Sequence, residues 1–187
     1  MKISCIPIDN HIKLVQPELI MAEQLFQVID ENRTYLSKYL PFIDDTHTVQ
    51  DESEYIKLML AQHARGTARL FFIYSDDELI GTIDLHEINQ THKKASIGYW
   101  LAQNYTNQGI TTRCVQTLCD FAFNTLDLNK LSIKANVKNK PSIKVAERCG
   151  FTYVGIDKDD LYERGQFEDF VRYALLKREF QTKANKN

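Results

Sequence analysis

The stretch of residues 94–123 constrains the fold most, because it combines a strand pattern, a polar loop, a glycine and a helical pattern. Its first part alternates apolar residues with small or polar ones, which predicts a strand of ordinary length. The polar loop 103–108 leads to Gly109, and beyond it apolar residues recur at helical spacing from Val115 to Leu126. The sequence therefore predicts a strand, a loop and a helix that begins directly after Gly109.

The Gly109 turn is a candidate anion-binding site. The first backbone N–H groups of a helix have no partner inside it, and the helix dipole makes that end partly positive. A glycine has no Cβ, so the chain can bring several N–H groups around one phosphate group. The hydroxyls of Thr111 and Thr112 could add donors. An ordinary loop with a helix N-cap explains the same residues, so both interpretations stay open.

Three motifs in the chain occur together in one known superfamily. They are the GYWL and GITT segments within residues 98–112, the Asn139-Lys140-Pro141-Ser142 segment, and the Glu147-Arg148-Cys149-Gly150-Phe151 segment. Together they resemble the GNAT acetyltransferases, most closely the branch that acetylates the N-termini of ribosomal proteins. The resemblance extends over residues 12–176.

This resemblance implies a mixed α/β fold with a mostly antiparallel central sheet of about 6–7 strands flanked by about 4 helices. It implies acetyl-CoA as cofactor. The strand before the Gly109 loop would line the pantetheine, and the backbone amides of that loop would hold the pyrophosphate. The positions that it assigns to the cofactor are Tyr99, Trp100, Leu101, Asn107, Gln108, Gly109, Ile110, Thr111, Thr112, Asn139 and Ser142. The family's loop pattern starts with Gln or Arg and ends with Gly or Ala. Thr106 and Thr111 depart from it, which puts a side-chain contribution from Thr106 in question.

Acetyl transfer to an amine needs a proton acceptor for the amine, donors for the carbonyl oxygen and a proton for the departing thiolate. By resemblance, backbone amides of residues 99–101 polarise the carbonyl and Asn139 bonds the pantetheine arm. The hydroxyl of Ser142 meets the CoA sulfur in the same comparison. Both side chains also have ordinary explanations, Ser142 as the N-cap of a helix that begins there and Asn139 as a turn residue.

The candidates for catalytic side chains are Ser142, Glu87 and Asp160. Glu87 and His86 end a predicted strand, where neighbouring side chains point to opposite faces, so only one of them can reach a given site. A partly buried Glu87 near the acceptor would attract an ammonium, although a strand-end glutamate is usually just solvated. The family's glutamate in the last loop falls on Leu161, which leaves Asp160 or a water-relayed proton as substitutes.

The rest of the pattern predicts a single domain over residues 1–187, with a frayed tail from Lys177. The short β-prone pieces 1–8 and 12–15 flank the turn pair Asp9-Asn10 and would form a first strand or a hairpin. Helices are predicted from Pro17 to about residue 31, from the capping box at 48–51 to Gly66, and from Ser142 to Gly150. Further strands are predicted at 70–74, 79–88, 131–137, 151–156 and 167–176, with a charged loop at 157–166. The apolar segment 35–42 either covers the core or walls the acceptor pocket.

Composition argues against several classes of protein. A net charge of −2 gives no support for a nucleic-acid partner, and no segment reaches the ~18 apolar residues of a membrane helix. The opening residues lack the apolar run of a secretory signal, so a cytoplasmic protein is expected. The four cysteines form no CxxC pair and no metal-ligand spacing, so no metal is expected, and the helical patterns around Cys114 and Cys149 predict buried reduced thiols there.

We therefore expect an acetyl-CoA-dependent N-acetyltransferase that acts by direct transfer to a primary amine. By resemblance, the acceptor is a protein N-terminus of the ribosomal type, and a small-molecule amine such as a polyamine, amino acid or aminoglycoside is the alternative. A non-catalytic acyl-CoA sensing module and a structural partner protein are rivals from other classes, which CoA binding and thiol release would separate. By analogy with this fold, whose strand edges often pair between subunits, a homodimer is also expected.

Overall fold

The computed structural model describes residues 5–184, and within them the chain forms eight strands and six α-helices. The strands are β1 Cys5–Pro7, β2 Ile12–Val15, β3 Arg69–Ser75, β4 Glu78–Asn89, β5 Lys94–Leu101, β6 Lys130–Asn136, β7 Thr152–Glu163 and β8 Gln166–Leu176. The helices are α1 Ala22–Glu31, α2 Arg33–Leu36, α3 Val49–Arg65, α4 Ile110–Asp120, α5 Lys140–Arg148 and α6 Lys177–Ala184. None of the helices in this part of the chain is long and apolar enough to cross a membrane.

The strands follow the order β1-β2-β3-β4-β5-β6-β8-β7. The pairs β1–β2, β2–β3, β3–β4, β6–β8 and β7–β8 are antiparallel, whereas β5 and β6 run parallel and are joined by a crossover that contains α4. The predicted mixed, mostly antiparallel sheet is confirmed. There are eight strands rather than 6–7 because the opening segment forms two strands, β1 and β2, which pair with each other.

The chain separates into two compact units, the first from residues 5–85 and 99–114 and the second from 86–98 and 115–184. In the first unit, one face of β3 packs with α1 and α3 through buried side chains such as Leu25, Ile56 and Phe72. In the second, the fully buried side chains include Phe123 and Leu175. The single domain over residues 1–187 stays a prediction.

The start and end of α3 follow the sequence signals. The side chain of Thr48 accepts a hydrogen bond from the backbone N–H of Asp51, and the Asp51 carboxylate accepts one from the N–H of Thr48 at 2.7 Å. The helix ends at Gly66, whose φ of 79° is the left-handed conformation that favours glycine. The predicted capping box and glycine stop are therefore confirmed.

The charged loop predicted at 157–166 is wrong, because β7 continues to Glu163 and a turn at Arg164-Gly165 connects it to β8. Both turn residues have positive φ, 47° and 83°, as a two-residue hairpin requires. Most side chains of β7 are exposed, so the strand carries no apolar alternation that would have indicated it. Its pairing with β8 is also irregular between Asp157 and Leu161.

Two further boundaries differ from the predictions. The chain from Lys177 forms helix α6 to Ala184 instead of a frayed tail, and the last three residues lie outside the described part. Helix α5 begins at Lys140 rather than Ser142, because Asn139 is its N-cap and Pro141 occupies its first turn. The first four residues of the predicted opening strand also lie outside the described part.

Candidate functional site

The Gly109 turn connects β5 to α4 as the sequence predicted. A short 3-10 turn at Gln103–Tyr105 follows β5, and helix α4 begins at Ile110. Asn107 and Gly109 both adopt left-handed conformations, with φ of 61° and 72°. These two residues turn the backbone sharply on either side of Gln108, directly before the positive end of an 11-residue helix. Such a turn suits an anion held by main-chain N–H groups.

Side chains within the loop hold its shape. The hydroxyl of Thr106 donates to the carbonyl of Gln103 at 2.8 Å, and the amide of Gln108 donates to the carbonyl of Asn104 at 3.0 Å. The hydroxyl of Tyr105 donates to the carboxylate of Glu78 at 2.7 Å, which ties the loop to the start of β4. The side chains of Thr106 and Gln108 thus stabilise the turn through hydrogen bonds within the loop.

Arg113 places a guanidinium beside this turn and was missed from the sequence. Its guanidinium donates to the carbonyl of Gln108 and to the carboxylate of Asp9, each at 3.1 Å. Backbone N–H groups of His11 and Ile12 hold the pKa of Asp9 below its usual value, and Arg113 lowers it further. The position of Arg113 one turn after Gly109 was a usable signal, but its partner Asp9 is 104 residues away in sequence.

The end of β5 lies against β4. The N–H of Ala102 donates to the carbonyl of Ile80 at 2.8 Å, and a Cβ added at Gly81 would come within 2.3 Å of the Trp100 carbonyl oxygen. Trp100 is partly buried and packs against the core formed by α1, α3 and β3. Glycine at position 81 is therefore required for the backbone of β4 to approach the cofactor strand predicted at Tyr99–Leu101.

Asn139 and Ser142 form the first turn of α5, in the second compact unit. The side-chain oxygen of Asn139 accepts a hydrogen bond from the backbone N–H of Ser142 at 3.2 Å. Asn139 is therefore the N-cap and Ser142 the third residue of the helix, which corrects the interpretation of Ser142 as the cap. The contact uses the main chain of Ser142 rather than its hydroxyl.

The two other catalytic candidates also belong to the second unit. Glu87 is exposed, contrary to the partial burial that was expected, and it accepts a hydrogen bond from the hydroxyl of Ser96 at 3.1 Å. Asp160 lies in β7, where its side chain is 24% exposed and forms an ion pair with Lys134. Leu161, where the resemblance places a glutamate, pairs across the hairpin with Glu168.

Among the described residues, two buried glutamates were missed. Glu168 is 7% exposed and is bonded by Asn136, Lys138 and Gln166, and these donors hold its pKa below its usual value. Glu52, on α3, is 3% exposed, and its Oε2 has no hydrogen-bond partner. The spacing of Glu52 to Ile56 and Met59 was an available signal, since all three lie on the buried face of α3.

Cys114 and Cys149 are buried, as predicted, and Cys119 is buried as well. Burial raises the pKa of Cys114 and that of Cys149 to about 12, and it raises that of Cys119 well above its usual value. These thiols are therefore protonated at neutral pH and poor nucleophiles, which favours direct transfer over a covalent route. Within residues 5–184 no group of three or more potential ligands could hold a metal ion.

A left-handed glycine turn ahead of a helix is an arrangement that can hold a phosphorylated ligand on main-chain amides. Comparison with known proteins identifies the family. The chain belongs to the acetyltransferase (GNAT) domain family, which matches residues 11–152.

Several relatives share most of the chain's length. YdaF of Bacillus subtilis (strain 168), named as a ribosomal N-acetyltransferase, is 36% identical over 178 residues, which are 93% of this chain and 96% of that protein. The ribosomal-protein-serine acetyltransferase of Escherichia coli (strain K12) is 31% identical over 90% of this chain and 88% of its own length. The solved structure of RimL, a ribosomal L7/L12 alpha-N-protein acetyltransferase in complex with coenzyme A, is 27% identical with a TM-score of 0.89. It covers 92% of this chain and 97% of that chain.

These comparisons confirm the predicted fold, enzyme class and cofactor. The protein is a GNAT N-acetyltransferase that uses acetyl-CoA as the acetyl donor.

Proposed function

We propose that the acceptor of this acetyltransferase is the N-terminal amine of a protein, of the ribosomal type. The observation that carries this proposal is the similarity over nine-tenths of the chain to a ribosomal-protein-serine acetyltransferase. A small-molecule amine would also be acetylated by the same chemistry, so the acceptor has to be tested directly.

The Gly109 turn is assigned to the pyrophosphate of the cofactor. Its support is the pair of left-handed residues before α4 and the guanidinium of Arg113 beside them. We assign the amides of residues 107–112 as the donors and the backbone of Tyr99–Leu101 as the lining of the pantetheine. Acetyl-CoA supplies the activated acetyl group, and the chain's own groups hold and orient it.

We assign the hydroxyl of Ser142 to the stabilisation of the departing thiolate, and the side chain of Asn139 to a hydrogen bond with the pantetheine arm of the cofactor. Because Asn139 caps α5 through the backbone N–H of Ser142, a Ser142→Ala change leaves that cap in place. A loss of rate in this variant would therefore report on the hydroxyl and not on the helix. Glu87 and Asp160 stay predictions as proton acceptors, each with the partner described above.

The cofactor assignment is tested by calorimetric titration of acetyl-CoA into the wild type and Gly109→Asp. The new carboxylate would stand where the diphosphate is placed, and two like charges about 4 Å apart repel by about 4 kcal/mol in a surface environment. We expect Kd to rise at least about 100-fold, which corresponds to about 2.7 kcal/mol. Gly66→Asp is the matched control, because Gly66 has the same left-handed conformation at the end of α3. An equal rise of Kd in both variants, or an unchanged Kd in Gly109→Asp, would show that the pyrophosphate does not bind at this turn.

The acceptor is tested by acetylation of a short lysine-free peptide that begins with serine, with mass spectrometry of the product. The same peptide with a blocked N-terminus is the control, and spermidine serves as the small-amine acceptor. We expect one acetyl group on the free N-terminus and none on the blocked peptide. A kcat/KM for spermidine above that for the peptide would overturn the proposed acceptor.

A further inference from the structure

Residues 136–139 form the turn that connects β6 to α5, here called the α5 entry turn. β6 pairs with β8 along its whole length and ends at Asn136. Helix α5 begins at Lys140, with Asn139 as its N-cap. The position of Ser142, the third residue of that helix, therefore depends on how the α5 entry turn is held.

Hydrogen bonds of the main chain close the α5 entry turn. The N–H of Asn139 donates to the carbonyl of Asn136 at 2.8 Å, and the N–H of Val137 donates to the carbonyl of Asp169 on β8 at 3.1 Å. The side-chain oxygen of Asn136 also accepts a bond from the N–H of Lys138 at 2.9 Å, which makes an Asx turn. The conformation of the turn is thus coupled to the orientation of the Asn136 side chain.

Glu168 on β8 fixes that orientation. Its Oε2 accepts a hydrogen bond from the Nδ2 of Asn136 at 3.0 Å, so the Asn136 amide is bonded at both its oxygen and its nitrogen. The ammonium of Lys138 contacts both carboxylate oxygens of Glu168, at 2.8 and 2.9 Å. The Nε2 of Gln166 donates to Oε1 at 2.6 Å. One carboxylate therefore binds two side chains of the α5 entry turn.

The charge of Glu168 suits it to hold the turn in one arrangement. Only 7% of Glu168 is exposed, and the hydrogen bonds from Lys138 and Asn136 keep its pKa below the usual value, so it is ionised at neutral pH. Hydrogen bonds to an ionised acceptor are stronger and shorter than those between neutral groups. An inaccessible ion pair adds little to stability, because desolvation offsets the attraction, and fixing a geometry is a better account of its use.

We propose that Glu168 is a positioning residue for acetyl transfer, which fixes the α5 entry turn through Asn136 and thereby sets the place of the Ser142 hydroxyl. This inference rests on the proposed function, which assigns that hydroxyl to the departing thiolate. Asn136 is bonded to the backbone of Asn139, whose side chain accepts a bond from the N–H of Ser142 at 3.2 Å. All these residues belong to the second compact unit.

The experiment is a double-mutant cycle between Glu168→Gln and Ser142→Ala, with kcat of acetyl transfer as the readout. Glutamine keeps the size of the side chain, but its NH2 group cannot accept a hydrogen bond. We expect kcat to fall at least about tenfold in Glu168→Gln, because a displacement of about 1 Å can cost about 100-fold. In the Ser142→Ala background the same change should alter kcat by less than about twofold, since the displaced hydroxyl is absent.

A merely structural role of Glu168 predicts a different result. A loss of stability would lower kcat by the same factor with and without the Ser142 hydroxyl, because the two effects would then be independent. That outcome, or an unchanged kcat in Glu168→Gln, would overturn the inference and leave the proposed function intact. Circular dichroism establishes that the variants are folded, and titration with acetyl-CoA gives the concentration of competent enzyme.

Amide hydrogen exchange reports on the α5 entry turn itself. In Glu168→Gln the backbone N–H of Lys138, which is bonded to the Asn136 side chain, should exchange faster than in the wild type. Equal exchange rates would show that Glu168 does not hold the turn. Asn136→Ala is a second variant, which leaves the ion pair of Lys138 and Glu168 in place. Its effect on kcat should likewise disappear in the Ser142→Ala background.

Asp157→Asn is the matched control, because Asp157 forms an ion pair at 3.1 Å with Arg172 across the same hairpin. Its kcat should stay within about twofold of the wild type, as expected for a partly exposed pair. A fall as large as that of Glu168→Gln would overturn the inference. If Ser142→Ala leaves kcat unchanged, the assignment of its hydroxyl is wrong and the inference fails with it. If the wild type acetylates spermidine but not the serine peptide, only the proposed acceptor is overturned, and the cycle is measured with spermidine.

Discussion

Glu168 and Glu52 are both buried, one in each compact unit, yet their surroundings are opposite. Glu168 accepts hydrogen bonds from Lys138 at 2.8 and 2.9 Å, from Asn136 at 3.0 Å and from Gln166 at 2.6 Å. Its pKa lies below the usual value because these donors outweigh burial. Glu52 has an unpartnered oxygen, and burial raises its pKa to about 7.

The difference shows that donors rather than burial decide whether an inaccessible carboxylate is a fixed charge or a group that titrates at working pH. Glu168 already has its cation, so it holds the ends of β6 and β8 together. At Glu52 the Thr46 hydroxyl opposes the effect of burial on the pKa but does not cancel it.

The largest expected effect concerns the stability of Glu52→Gln. The folded-state pKa of Glu52 is raised from 4.5 to about 7, so the unfolded chain loses its proton at lower pH than the folded one. The free energy of unfolding therefore falls as pH rises from about 4.5 to 7. The pKa difference between 4.5 and about 7 corresponds to a fall of roughly 3 kcal/mol at most. Glutamine has no such cost, so the variant should gain stability relative to the wild type on going from pH 5 to pH 8. Urea unfolding at both pH values measures the gain, and a constant difference would mean that Glu52 titrates normally.

Glu168→Gln should act in the opposite direction and by less, because Lys138 is 64% exposed. An amide cannot pair with the Lys138 ammonium, so the urea midpoint at pH 7 should fall. Because the folded-state pKa is lowered, the stabilisation is present above the usual 4.5 and is lost as pH falls through the folded value. The difference from the wild type should therefore shrink below pH 4.5. If Glu168→Gln instead stabilised the protein at pH 7, the two buried glutamates would not differ in the way described.

The smallest expected effect is that of Thr46→Val. The threonine hydroxyl lowers the pKa of Glu52 and so opposes the effect of burial, and its removal should raise that pKa further. Carbon-13 NMR titration of the glutamate side chains measures the change. The Glu52 signal should titrate at higher pH in the variant than in the wild type. An unchanged titration would mean that the Thr46 hydroxyl does not stabilise the Glu52 carboxylate.

Much of the fold could be predicted because its signals are local. The capping box at Thr48 and the glycines at 66 and 109 set helix ends through the conformation of one or two residues. Strand β7 was missed beyond Ile156 because its exposed side chains give no alternation, and only its hydrogen bonds to β8 define it.

The site was less accessible to prediction because its partners are distant in sequence. Arg113 meets Asp9, and Tyr55 is affected by Asp84, across separations that no spacing rule encodes. The burial of Glu168 also does not follow the alternation of Val171, Tyr173 and Leu175, because the hairpin is irregular beside it. Glu52 was missed as well, although its helical spacing to Ile56 placed it on the buried face of α3.

The unequal burial of the four cysteines gives the protein a built-in attachment point for a probe. Cys5 on β1 is exposed, whereas the other three thiols are buried and protonated at neutral pH. A maleimide dye at neutral pH should therefore react at Cys5 first, without any engineered substitution. β1 pairs with β2, so the dye would report from the edge of the sheet. Fluorescence anisotropy of this single label would then test directly whether the proposed protein acceptor binds.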